Sequence, residues 1–223
     1  MSSEGHHQEM GAAQNRHADN EGRRAHAEKL KKDITFEHCF RGRKLVIHST
    51  WGLFSPRGID EGTKLLLDHI TFGPNETVLD LGCGYGAIGI AVAAALDLGV
   101  VHMVDKDFTA LEYARKNAEL NQISNYSIYP SNAFSEVNHT GFTSVFSNPP
   151  ANAGKEMLFI MVSDAFDRLC PGGQLVVVTI AGLKSFIKRH FIQVFGNYEK
   201  IKQGRSHAVF RAVRESARFR KVP

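Results

Sequence analysis

From Ile59 onward, short unbroken apolar runs alternate with stretches whose apolar residues recur every three or four positions. The first pattern reads as strands buried on both faces, the second as helices covering them. Strands are expected at Thr77 to Leu81, 100–105, 126–129, 142–147 and over QLVVVTI, with helices at 86–96, 108–121, 155–169 and 183–194. Asp60 is placed to cap a further helix carrying Leu65, Leu66, Leu67 and Ile70, and the FGPNE and CPGG segments read as turns. Upstream, TFEHCF and LVIHST flank RGRK, a hairpin turning at Gly42; downstream, YEKIK and SHAVFRAVR join at Gly204 and should add an antiparallel edge strand. The pattern predicts an α/β chain with a doubly wound, mostly parallel sheet, whose ligands bind beyond the carboxyl ends of the strands.

Residues 1–33 have almost no large aliphatic side chains and read as a flexible polar extension, leaving a domain over 34–214 and a basic tail over 215–223. The chain is 43% hydrophobic and 22% charged, enough for a sizeable core and incompatible with disorder throughout. The longest apolar stretch, Ile88 to Leu96, stops at Asp97, well short of the roughly 20 residues a membrane helix needs. The first residues lack the apolar core of a secretory signal, so a cytoplasmic protein without a membrane partner is expected. Cys39, Cys83 and Cys170 are odd in number and widely spaced, which suits reduced thiols rather than disulfides or a metal site. The net charge of +4 is modest, but Arg23, Arg24, Lys29, Lys31, Lys32, Arg41, Arg43 and Lys44 precede the core and Arg211, Arg214, Arg218, Arg220 and Lys221 close the chain. That distribution suits contacts with phosphates.

VLDLGCGYGAIGI places Gly82, Gly84 and Gly86 between a strand and a helix, where absent side chains let the backbone approach a ligand. Gly84, Gly86 and Gly89 also satisfy GxGxxG, with Asp105 about 20 residues on, so a nicotinamide dinucleotide competes with S-adenosyl-L-methionine. Asp80, two residues before the first glycine, favours the second, because a carboxylate attracts an amino-acid ammonium and repels a pyrophosphate. Asp105 ends the next strand, where its oxygens can accept from both ribose hydroxyls, and Asp107 is the better cap for the helix that follows. Lys106 can lay its stem on an adenine face, and Asn132 with the Ala133 backbone can meet the adenine edge.

In SVFSNPPANAGKE, Asn148, Pro149 and Pro150 follow the fourth strand of the sheet, on the edge that holds the cofactor. An amine conjugated to a purine is a poor nucleophile; N–H bonds to the Asn148 amide oxygen and the Pro149 carbonyl would help it pyramidalise. Catalysis is then mainly positioning and exclusion of water. Lys155 opens the next helix, whose positive end favours an anion, and Phe54 either packs or stacks on a base.

GLFSPRGIDEGTKLLL, VLDLGCGYGAIGIA, VDKDFTALEYARKNAELN, SNPPANAGKE and PGGQLVVV, over residues 41–214, together resemble the class I methyltransferases of the small-domain family, of the ribosomal RNA small-subunit methyltransferase C type. The resemblance implies a seven-stranded Rossmann-like sheet, S-adenosyl-L-methionine as cofactor and guanine N2 of ribosomal RNA as acceptor. It assigns Asp80, the glycines from Gly82 to Gly86 and Asp105 to the cofactor, and Asn148 with Pro149 to the amine. This chain has Ala151 where many amine methyltransferases carry an aromatic residue, so base stacking must come from elsewhere. A short extension stands where bacterial enzymes of this type carry an additional domain, as in compact single-domain relatives. Methylation of an adenine amine or a protein glutamine, a non-catalytic RNA-binding module and an NAD-dependent oxidoreductase are the competing readings.

Overall fold

The structure, a computed structural model, describes residues 33–150 and 153–215. Residues 1–32, Ala151 with Asn152, and residues 216–223 lie outside it, and with them most of the expected extension and tail. A two-stranded hairpin, β1 (Ile34–Phe40) and β2 (Arg43–Ser49), precedes α1 (Glu61–Leu67), β3 (Asn75–Leu81), α2 (Ala87–Ala95) and β4 (Leu98–Asp105). Then come α3 (Phe108–Leu120), β5 (Tyr126–Pro130), β6 (Phe142–Ser147), α4 (Lys155–Arg168) and β7 (Leu169–Ile180). A 3-10 turn leads into α5 (Lys184–Phe195), β8 (Glu199–Gln203) and β9 (His207–Val213).

Seven strands form one sheet in the order β5-β4-β3-β6-β7-β9-β8, the first five parallel and β9 antiparallel to both neighbours. The last strand is therefore antiparallel, as expected, but it is interior. β9 slots between β7 and β8, and β8 takes the edge with Lys200 and Lys202 exposed, a charge pattern that discourages pairing with another chain. CPGG also departs from expectation. Leu169 pairs with Phe142 and Gln174 with Ser144, so Cys170 to Gly173 bulge within one strand rather than preceding it.

Each strand feeds two cores by alternation. Val78, Val176, Val178 and Val209 meet the helix layer that includes α1, α2 and α3, while Leu79, Leu81, Leu175 and Val177 meet α4 and α5. The hairpin turns on Arg41 and Gly42, both at positive φ (48° and 79°), which matches the twist of paired strands. Its second strand, β2, is docked by two asparagines one turn apart, Asn117 on α3 and Asn121 at the end of that helix. Asn121 Oδ1 accepts from Val46 N (2.9 Å) and its Nδ2 donates to Val46 O (2.8 Å). Asn117 does the same to His48 (2.7 and 2.8 Å) and also donates to Tyr85 O (3.0 Å). The i, i+4 rise of a helix approximates the i, i+2 rise of a strand, so two amides substitute for a neighbouring strand.

Candidate active site

The carboxyl ends of β3, β4, β5 and β6 surround a cavity of about 880 Å³. Gly82 and Gly84 form its floor at φ 75° and 55°, and a Cβ at either would meet nothing within 4 Å, so both leave open space for a ligand. Gly86, at φ 89°, lies outside the lining; a Cβ there would come within 2.7 Å of Ile90 Cδ1, so this glycine serves the turn into α2. Asp105 Oδ2 accepts from Gly84 N (2.9 Å) and Oδ1 from Asp107 N (3.0 Å), which joins the first two loops of the sheet. Asp107 caps α3 through Thr109 N at 2.8 Å. Lys106, Asn132 and Ala133 line the same wall. Ala133 sits at φ 51°, an unfavourable region for a residue with a Cβ, and Ser131 Oγ donates to its carbonyl at 2.6 Å.

Asp80 is placed differently from the expectation of a ligand-facing carboxylate. Strand alternation turns it under α2, fully buried and outside the cavity lining, where Oδ2 accepts from Gly89 N at 2.7 Å. Its Oδ1 has no hydrogen-bond partner. Burial pushes the carboxyl up to about 7, opposed by the Gly89 amide and reinforced by the charge of Asp105. Cys83 lines the cavity, and burial raises its thiol well above the ordinary value, so it stays protonated.

The same cavity brings Asn148, Pro149, Pro150 and Phe54 together with three side chains whose place there the sequence did not reveal: Asp60, Thr63 and His207. Asn148 Nδ2 donates to Asp60 Oδ1 and Oδ2 (3.2 and 3.3 Å) and to Thr63 Oγ1 (2.9 Å). Asp60 also caps α1, as expected, accepting from Gly62 N and Thr63 N (2.9 and 3.1 Å). His207 Nδ1 bonds Ser206 Oγ (2.9 Å), which donates to Glu61 Oε2 (3.0 Å). Tyr85 OH reaches the carbonyls of Ser55 and Gly58 (3.4 and 3.3 Å), tying the GLFSPRG loop to the glycine turn. Phe54 is 69% exposed over the cavity mouth, whereas Lys155, exposed at the start of α4, does not line it.

A parallel sheet closed by an antiparallel penultimate strand, with a glycine turn, a carboxylate ending the second strand and Asn-Pro-Pro ending the fourth, defines a class I S-adenosylmethionine-dependent methyltransferase. The sequence profile of the methyltransferase small domain matches residues 44–211, and the chain belongs to that family. It is 35% identical to the Bacillus subtilis protein YbxB over 65% of this chain and 73% of that one. Ribosomal RNA small subunit methyltransferase C of Haemophilus influenzae (strain 86-028NP) is 34% identical over 71% of this chain and 48% of its own length. The 16S rRNA N2 methyltransferase of T. thermophilus, solved with AdoMet and guanosine, superposes with a TM-score of 0.73 at 25% identity, over 82% of this chain and 51% of that one. The chain thus spans about half the length of the ribosomal RNA methyltransferases it matches.

The residues present fit the cofactor. Gly82 and Gly84 leave open space on the cavity side, and Asp105, Lys106, Asn132 and Ala133 line that space, whereas Asp80 is buried outside it.

Proposed function

We propose that residues 34–214 form an RNA methyltransferase acting in the cytoplasm on an exocyclic amine, guanine N2 of ribosomal RNA. The observation that carries this reading is the Asn148 amide. Both its hydrogens face Asp60 and Thr63, and its oxygen accepts no hydrogen bond among the described residues, in the cavity that Gly82, Gly84 and Asp105 also line. Bound S-adenosylmethionine supplies an electrophilic methyl group on a sulfonium. Asn148 Oδ1 and the Pro149 carbonyl accept the two amine N–H groups, which localises the nitrogen lone pair and aims it across the cavity. Pro150 stiffens that corner, Phe54 covers it, and the proton leaves to solvent once the N–C bond has formed and the C–S bond has broken.

The charge distribution supports a polyanionic acceptor. Leu169 to Glu215 contains eight Lys and Arg against two Glu. Of these, Lys184, Lys188 and Arg189 on α5, Lys200 and Lys202 on β8, and Arg205 are exposed, with no carboxylate partner among the described residues. The ribosomal RNA relatives point the same way. The test is methyl transfer from labelled cofactor to small-subunit ribosomal RNA, deproteinised and within the subunit, followed by nucleoside digestion. N2-methylguanosine is expected; label in methyladenosine or in protein glutamine would replace the guanine assignment with that acceptor.

A further inference from the structure

We infer that Asp60 and Thr63 are positioning residues that lock the Asn148 amide in one orientation, so that the acceptor site admits N–H donors and refuses groups that only accept. The inference rests on the proposed role of Asn148 and adds what enforces it. A carboxylate has no proton to give, so the side of the amide facing Asp60 must be the NH₂ group. The contact to Thr63 Oγ1 at 2.9 Å engages the second hydrogen. With both hydrogens committed, the oxygen is the only part of the amide the cavity can use. Rotating the amide by half a turn would set its oxygen about 3 Å from two carboxylate oxygens and a hydroxyl, an arrangement with one hydrogen bond at most.

The lock is itself rigid. Asp60 is pinned by the Gly62 and Thr63 amides of the first turn of α1, and Thr63 is buried. Gly62 completes it by what it lacks: a Cβ there would stand 3.0 Å from both Asp60 Oδ1 and His207 Cδ2. The start of α1 is thus fitted between β9 and the end of β6, with no slack for the carboxylate to follow a rotated amide. An isolated Asn has two amide orientations of comparable energy; here sequence-distant partners select one.

The experiment uses Thr63→Val, Thr63→Ser and Asp60→Asn in the full chain, with Asn148→Ala as reference. In the first readout, the Asn148 side-chain NH₂ signals are followed by NMR in the complex with S-adenosylhomocysteine, assigned by their loss in Asn148→Ala. Thr63→Val and Asp60→Asn should shift them and speed their exchange with solvent, and Thr63→Ser should restore the parent signals. The second readout is methyl transfer to small-subunit ribosomal RNA. Loss of one acceptor in Thr63→Val should lower kcat about tenfold, and Asp60→Asn, which sets a donor against a donor, about a hundredfold, as expected for about 1.4 and 2.7 kcal/mol. Thr63→Ser should recover most of the rate, with S-adenosylhomocysteine affinity within about twofold throughout. Unchanged NH₂ signals in Thr63→Val and Asp60→Asn would overturn the lock whatever the substrate. An inactive Asn148→Ala beside fully active Thr63→Val and Asp60→Asn would overturn it while leaving the role of Asn148 intact. Shifted signals without methylation of RNA would uphold the lock and remove the RNA assignment.

Discussion

Two carboxylates near the glycine turn have opposite surroundings. Asp105 uses its oxygens to hold backbone amides at the cavity wall, while Asp80 is sealed beneath it with one oxygen orphaned. Replacing Asp105 by Ala frees Gly84 N and Asp107 N and removes the carboxylate proposed to accept from a ribose. S-adenosylhomocysteine affinity should fall by about one to two orders of magnitude in calorimetry, the cost of two or more hydrogen bonds to a charged group. Asp80 governs stability instead. Its folded value near 7 lies above the unfolded 3.8, so its contribution is fully present below about 4 and is lost as pH rises through about 7. In cofactor-free protein, the melting temperature of the parent relative to Asp80→Asn should therefore decline between about pH 4 and pH 7, because Asn keeps the Gly89 acceptor without the charge. A flat difference across that range would mean the carboxyl titrates normally.

Among the elements, α3 ties the hairpin to the glycine loop. Its Asn117 is fully buried and satisfies three backbone groups, two on β2 and one on the glycine loop. Asn117→Ala leaves the buried Tyr85 carbonyl and two half-buried groups of His48 without this partner and should destabilise the fold by about 2 to 4 kcal/mol in urea titration, with weaker S-adenosylhomocysteine binding because the Tyr85 carbonyl loses its anchor. Asn121→Ala, in a more exposed place, should cost less. The parallel strands were legible because unbroken apolar runs between amphipathic helices admit few alternatives, and the helix starting at Asp60 because its cap is local. Three features were not. The interior place of β9 depends on how a crossover connection routes, which no local pattern encodes. CPGG carries turn residues yet bulges within a strand that resumes its pairing beyond them. The meeting of Asn148 with Asp60 and Thr63 spans 88 and 85 residues, so nothing adjacent in sequence announces it. The direction of Asp80 escapes for a simpler reason: strand parity, not proximity to a glycine, decides which way a side chain turns.

At the scale of the whole molecule, charge and chemistry are divided across the sheet. The loops after β3, β4 and β5 carry the residues proposed for the cofactor, while β8, the loop after it and α5 carry six exposed cations without carboxylate partners among the described residues. Neutralising Lys188, Arg189, Lys200 and Lys202 together to Gln should reduce the slope of log affinity for ribosomal RNA against log salt by about 0.7 to 0.9 for every phosphate left without its cation. Affinity for S-adenosylhomocysteine should be untouched. An unchanged slope in filter binding would place the phosphates elsewhere.

The interior position of β9 also bears on how the protein is made. Synthesis is directional, and β7, the eventual partner of β9, leaves the ribosome well before residue 213 does. Until then β7 presents an open hydrogen-bonding edge flanked by Val176, Val177 and Val178, and β8 has no sheet to join. A nascent chain stalled before His207 should therefore remain protease-sensitive and a client for chaperones, whereas one released a few residues past Val213 should become resistant in a single step.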